Sequence, residues 1–159
     1  MKLSIQPMNR QDAEDITSWE FKPPYAIYNL TEVDIQVLIE PRNRYFIIKD
    51  DEVQIIGYCC FGGEARVPGG EYTDFEPNVI DVGIGMHPRL VGMGKGKVFV
   101  ETILWFALAE FSPKRFRVTI AKFNERSQKT FLKLGFVEIQ TFTRKSDGMR
   151  FIRLERGAF

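Results

Sequence analysis

Leu3 and Ile5 alternate with polar neighbours and, with Pro7, predict a first strand. Asn9 with Asp12 offers a capping pair for a helix through about Trp19, and Phe21-Lys-Pro-Pro-Tyr25 stops it. Thr31 with Asp34 repeats that capping logic and opens a short helix whose Val33, Val37 and Leu38 share a face until Pro41 ends it. The segments Arg44–Lys49 and Val53–Phe61, joined by Asp50-Asp51-Glu52, predict an antiparallel hairpin with a candidate bulge at Gly57. Residues 62–77 are rich in Gly, Pro and acids and read as a long loop, a length that often carries function in compact domains.

The second half is more regular. Val79–Met86 is an apolar strand with glycines at 83 and 85, positions expected where something approaches the backbone closely. A glycine-rich turn leads into a long helix whose Val100, Ile103, Leu104, Ala107, Leu108 and Phe111 form a core face, and Ser112-Pro113 ends it. Phe116–Ile120 alternates as a strand, so the strand-helix-strand unit is expected to be parallel and right-handed. Asn124 opens a helix through Leu134, with Gly135 as its left-handed terminator. Val137–Thr143 and Met149–Leu154 then pair around Ser146-Asp147-Gly148. The order predicts an α/β (α+β) fold: a mixed, mostly antiparallel sheet of about seven strands with about four helices.

Composition narrows the class. A chain of 159 residues suits one domain spanning 1–159, and 44% apolar with 27% charged residues suits a globule. The net charge of +1 provides no general attraction for nucleic acid or an anionic membrane, so neither is an expected partner. The opening residues lack the apolar core of a signal peptide, and a cytoplasmic location is expected. Adjacent Cys59 and Cys60 read as buried reduced thiols, and the single His87 reads as structural, so no metal is expected.

The chemistry concentrates in Val91-Gly-Met-Gly-Lys-Gly-Lys97, at the mouth of the long helix. Unpaired N–H groups and partial positive charge at a helix start favour phosphate, and glycines let it come close. The P-loop spacing fails, because Val stands at 91 and Val98 follows Lys97; the G-x-G-x-x-G spacing fails from either glycine. A tight turn alone is the competing explanation for Gly92, Gly94 and Gly96.

Met86-His-Pro88 with Gly92-Met-Gly-Lys-Gly96, followed by Asn124-Glu-Arg-Ser127 and Phe131-Leu-Lys-Leu-Gly-Phe136, resembles the two motifs of the GNAT superfamily of N-acetyltransferases. Gln6-Pro-Met8, Asp12 and Trp19 resemble its ribosomal-protein branch. The resemblance implies a cytosolic enzyme that passes the acetyl group of acetyl-CoA directly to a primary amine. It implies that strand 79–86 splays from strand 116–120 and that pantetheine lies between them, bonded by main-chain groups of Ile84 and Met86. Val91, Gly92, Met93, Gly94, Lys95, Gly96 and Lys97 would wrap the pyrophosphate; Asn124 would touch the cofactor or only cap its helix. The family usually has Gln or Arg where Val91 stands. Phe131 occupies the place of the family's Tyr acid and would pack against the pantetheine sulfur, with Tyr72, Tyr25 or Tyr28 as substitute hydroxyls.

Asp81 is the candidate general base, weighed against an ordinary strand Asp paired with Lys or Arg. Glu64, Glu71, Asp74 and Glu76 would form an acidic lip for a cationic amine, or a solvated loop. Trp19, Phe21, Tyr25 and Tyr28 are either core or a substrate wall. The expected partner is a small-molecule or peptide amine, the chain a monomer or homodimer. A non-catalytic acyl-CoA sensor is the alternative, and a nucleotide enzyme is disfavoured by the failed spacings.

Overall fold

The computed structural model describes residues 2–68, 72 and 78–159. Seven strands form one sheet: β1 (Ser4–Pro7), β2 (Tyr45–Lys49), β3 (Ile55–Phe61), β4 (Val79–Met86), β5 (Arg115–Ala121), β6 (Val137–Thr143) and β7 (Arg150–Gly157). Their spatial order is β1-β2-β3-β4-β5-β7-β6, and only β4 with β5 is parallel. Helices α1 (Arg10–Ile16) and α2 (Ile35–Ile39) cover one face, packing Ala13, Ile16, Trp19, Ile35 and Leu38 with Ile47 of β2. Helices α3 (Gly96–Phe111) and α4 (Glu125–Lys133) cover the other face, where Phe99, Val100, Ile103, Leu104 and Phe131 meet Ile80, Val82, Phe116 and Val118.

The capping residues act as expected at Asn9, whose side chain accepts from the Asp12 N–H at 2.8 Å while Asp12 accepts from the Asn9 N–H at 3.2 Å. The helix ends at Ile16, short of Trp19, because the Thr17 and Ser18 hydroxyls bond back to the carbonyls of Glu14 and Asp15. Trp19 instead packs in the core, 7% exposed, and its Nε1 donates to Asp15 at 3.1 Å. The second capping pair starts a 3-10 turn at Glu32–Asp34 that continues into α2. There the buried residues are Ile35 and Leu38, whereas Val33 and Val37 are exposed, so the apolar face runs one step round from the predicted one. The β2–β3 register slips opposite Ile56, beside Gly57; a Cβ on Gly57 would lie 2.4 Å from the Gly85 carbonyl oxygen and 2.6 Å from the Phe99 ring.

Candidate cofactor cleft and active site

β4 and β5 pair only over Val79↔Arg115, Ile80↔Phe116 and Asp81↔Arg117. Beyond Asp81 the strands part, leaving 82–86 and 118–121 facing one another across an open edge within the sheet. Backbone direction along β4 follows from its pairing with β3: the Asp81 carbonyl accepts from the Gly62 N–H at 2.9 Å and the His87 N–H donates to the Ile56 carbonyl at 2.8 Å. Odd-numbered residues therefore spend their peptide groups on β3, and Val82, Ile84 and Met86 turn theirs into the gap. Two residues singled out from the sequence, Ile84 and Met86, thus present unpaired backbone groups to the cleft.

The glycines of the loop and of β4 divide into different roles. Gly92 and Gly94 have φ of +80° and +76°, left-handed conformations that a β-branched residue resists. Gly96 has no such need; a Cβ there would lie 3.2 Å from the Thr130 hydroxyl, so it lets α3 approach α4. Gly83 and Gly85 are explained by packing on the α1/α2 face rather than by a ligand: a Cβ would fall 2.7 Å from the Cys60 sulfur in the first case and 2.3 Å from the Tyr58 ring in the second. The loop delivers the chain to the first turn of α3, where among the described residues the N-cap Lys95 makes no side-chain cap hydrogen bond to the free N–H groups. Lys97 lies 3.9 Å from Glu101, and both side chains are exposed.

Arg126, on the first turn of α4, was missed in the sequence. Its guanidinium lies beside the loop, 3.6 Å from where a Cβ on Gly92 would stand, and 5.4 Å from the centroid of Tyr25. Asn124 caps α4 by accepting from the Ser127 N–H at 3.2 Å, and its amide donates to Tyr28 Oη at 3.2 Å. Both ends of that amide are occupied. Phe131 is 1% exposed and packs edge-on against Phe136 at 5.1 Å. Its ring belongs to the core cluster that also contains Val82, Val118 and Ile120. Tyr25, Tyr28 and Phe123 stack with one another at the start of α4.

On the sheet face opposite α3 and α4, Asp81 meets arginines. Its Oδ1 accepts from Arg117 Nε at 2.6 Å, and its Oδ2 accepts from Arg117 Nη2 at 3.0 Å and from Arg66 Nε at 2.9 Å. Asp81 is 3% exposed. Both oxygens accept from guanidiniums, so the geometry matches the ion-pair alternative that the sequence left open. Alternation along Arg115-Phe-Arg-Val-Thr places Arg117 and Thr119 together on this face, a signal legible in the sequence. Tyr72 lies over it: its hydroxyl accepts from the Val67 N–H at 2.7 Å and sits 3.1 Å from Thr119 Oγ1, on the stretch of β5 that β4 leaves unpaired. Glu64 is exposed and accepts from Tyr45 Oη at 3.1 Å. Glu71, Asp74 and Glu76 lie outside the described residues. Among the described residues, no group of three or more His, Cys, Asp or Glu side chains is arranged to hold a metal.

The family profile described as an acetyltransferase (GNAT) domain matches residues 2–137. The chain belongs to the GNAT acetyltransferase family. Solved GNAT structures share the fold: an acetyltransferase from Bacillus anthracis aligns at TM-score 0.76 and 15% identity, over 99% of this chain and 96% of that one. An aminoglycoside acetyltransferase in complex with coenzyme A aligns at TM-score 0.78 and 15% identity, over 98% of this chain and 95% of that one. Mutant forms of a spermidine/spermine N-acetyltransferase from Vibrio cholerae align at TM-score 0.68 and 15% identity, over 99% and 95% of the two chains. No curated protein matches the sequence. These comparisons reach the GNAT family and assign no branch within it. No helix among the described residues is long and apolar enough to cross a membrane.

Proposed function

We propose that this GNAT domain transfers the acetyl group of acetyl-CoA directly to a primary amine. The observation that carries the reading is the parting of β4 from β5 beyond Asp81, with the glycine turn and the start of α3 at its mouth. A pantetheine arm laid in that gap takes hydrogen bonds from the Ile84 and Met86 peptide groups. Its pyrophosphate meets the N–H donors of 92–97, with Lys95, Lys97 and Arg126 adding charge. Val91 costs only a side chain, because the donors are backbone.

In the transfer the amine nitrogen bonds the thioester carbon, the C–S bond breaks, and the nitrogen loses a proton. Tyr72, whose hydroxyl stands beside Thr119, takes the acid role that Phe131 lacks and protonates the departing thiolate. Glu64 takes the amine proton through water: it lies near Cys60, which faces Gly83 at the start of the gap, and its Oε2 has no hydrogen-bond partner among the described residues. Phe131 is the observation behind the second reading, an acyl-CoA sensor without turnover.

Calorimetry with acetyl-CoA, ATP and NAD, joined to thioester consumption with a panel of amines, tests this reading. Acetyl-CoA alone is expected to bind tightly, and at least one amine to be acetylated. Gly94→Val forces a β-branched residue to a φ of +76° at a point with no atom within 4 Å of the new Cβ, so the fold should survive while acetyl-CoA affinity falls at least about tenfold. Tight binding of a nucleotide without acetyl-CoA, or an unchanged affinity in Gly94→Val, would sink the proposal; binding without turnover would favour the sensor.

A further inference from the structure

The buried arginine on β7 points to the kind of amine that this site accepts. Arg153 pairs with Thr119 across β5 and β7 and is 4% exposed. Its guanidinium lies 4.3 Å from the Tyr72 ring centroid and 4.9 Å from that of Phe142, and Nη1 donates to Gln140 Oε1 at 3.0 Å. Nε and Nη2 are buried with no hydrogen-bond partner among the described residues. The described acids nearby are already engaged: Asp81 by Arg117 and Arg66, and Glu155 by Arg115 at 3.1 Å.

A buried guanidinium with unmet donors is costly, and native structures seldom leave such groups without a purpose. The pattern of the unmet donors is specific. Nε and Nη2 form one edge of the guanidinium, a two-pronged fork that matches the two oxygens of a carboxylate. On the neighbouring strand β5, the same two nitrogens of Arg117 hold Asp81 in this manner, at 2.6 and 3.0 Å. Among the described residues, the fork on Arg153 has no acid to hold.

We propose that the Arg153 fork binds a carboxylate of the acceptor, so that the substrate class is an amine that also carries a carboxylate group, of the amino-acid type. This deepens the acetyl-transfer reading and rests on it. Arg153 stands opposite Thr119, the residue that Tyr72 Oη touches on the stretch of β5 that β4 leaves unpaired, so a carboxylate held there leaves the amine of the same small molecule to face the gap. The aromatic rings near the guanidinium favour a planar anion lying in its plane over a tetrahedral one, whose out-of-plane oxygens would meet Tyr72 or Phe142. Arg66 and Arg117 also lie near the Tyr72 ring, at 5.3 and 5.5 Å, so this face disfavours polycations such as the spermidine that structurally similar enzymes are named for.

The test is a set of matched amines: leucine, glutamate and γ-aminobutyrate, each against its primary amide and its decarboxylated amine, with spermidine alongside. At least one carboxylate member is expected to exceed its amide by about 30-fold or more in kcat/KM, in keeping with loss of a charge-assisted fork. Arg153→Lys keeps the charge and loses the fork; it should bring that ratio to within about threefold while acetyl-CoA affinity is unchanged. Amides or spermidine turned over as well as the acids, or a ratio unmoved by Arg153→Lys, would overturn the assignment. Should Arg153→Lys fail to fold, the wild-type acid-to-amide ratio decides by itself. Where acetyl-CoA binds but no amine reacts, calorimetry of the same acids on the CoA-loaded protein decides, and no binding by any of them overturns the proposal. If acetyl-CoA does not bind, the transfer reading fails; carboxylate binding that Arg153→Lys abolishes would still uphold the fork, and its absence would end both.

Discussion

Asp81→Asn separates a structural ion pair from a catalytic base, because the two roles predict opposite losses. Asp81 and Arg117 are both almost wholly buried, with side chains 3% and 4% exposed, and they share two hydrogen bonds. Removing the charge of one partner leaves the other desolvated, which in buried pairs costs about 3–5 kcal/mol. Asn keeps the shape and one acceptor, but its amide N–H groups then face guanidinium donors. Arg117 also has contacts beyond Asp81, so the lower end of that range, about 3 kcal/mol, is expected. The Arg66 contribution is small, on the order of 0–1 kcal/mol, because its side chain is 45% exposed and solvent screens it. For a domain of this size each kcal/mol moves Tm by about 2–4 °C, giving a fall of about 6–12 °C. Urea titration should show the midpoint lowered with the slope unchanged, and calorimetry should show the Tm drop. Acetyl-CoA affinity should change little well below the new Tm. A variant that keeps its wild-type Tm within about 2 °C while turnover collapses would refute the structural reasoning and restore Asp81 as the base.

Two further predictions concern titration. Burial raises the Cys59 thiol well above its ordinary range and pushes Cys60 up to about 12, with Glu64 adding to the effect on Cys60. At pH 8 neither thiol should react with a disulfide reagent within minutes in the folded protein, and both should react at once in urea; fast native labelling of two thiols would contradict their burial. His87 accepts the Arg89 N–H at Nδ1 at 3.1 Å and lies 4.6 Å from the Trp19 ring, and burial, with Arg89 second, lowers its pKa against an opposing pull from Asp15. The folded state then binds fewer protons than the unfolded one, so this stability is complete above the ordinary His value of about 6.5 and is lost as pH falls below it. Tm should decline from pH 7.5 to 5.5 more steeply in wild type than in His87→Gln, and equal slopes would remove His87 from the account.

The sequence by itself determined the elements and their order. Period-two and period-3.6 patterns, the Asn9 cap, Ser112-Pro113 and Gly135 are local signals, and each depends on residues that are neighbours in the chain. The glycine turn before α3 was legible for the same reason, since it and the helix start are contiguous, whereas Ile84 and Met86 were named only through the family resemblance. What alternation could not tell was which neighbour each glycine met: Gly96 answers to Thr130, and Gly85 to Tyr58, across gaps in sequence that only packing closes. The same holds for charge. Arg66, Asp81, Arg117 and Arg153 come from a loop and three strands, and nothing local couples them. Only when β4, β5 and β7 lie side by side does Asp81 become the partner of Arg117 instead of a free carboxylate. The surroundings of Phe131 were hidden for a related reason, because a motif position gives the helix but not the direction in which a buried ring finds its contacts. Tertiary structure decided these points because desolvation is a property of everything around a group, and most of what surrounds each of these side chains is distant in the chain.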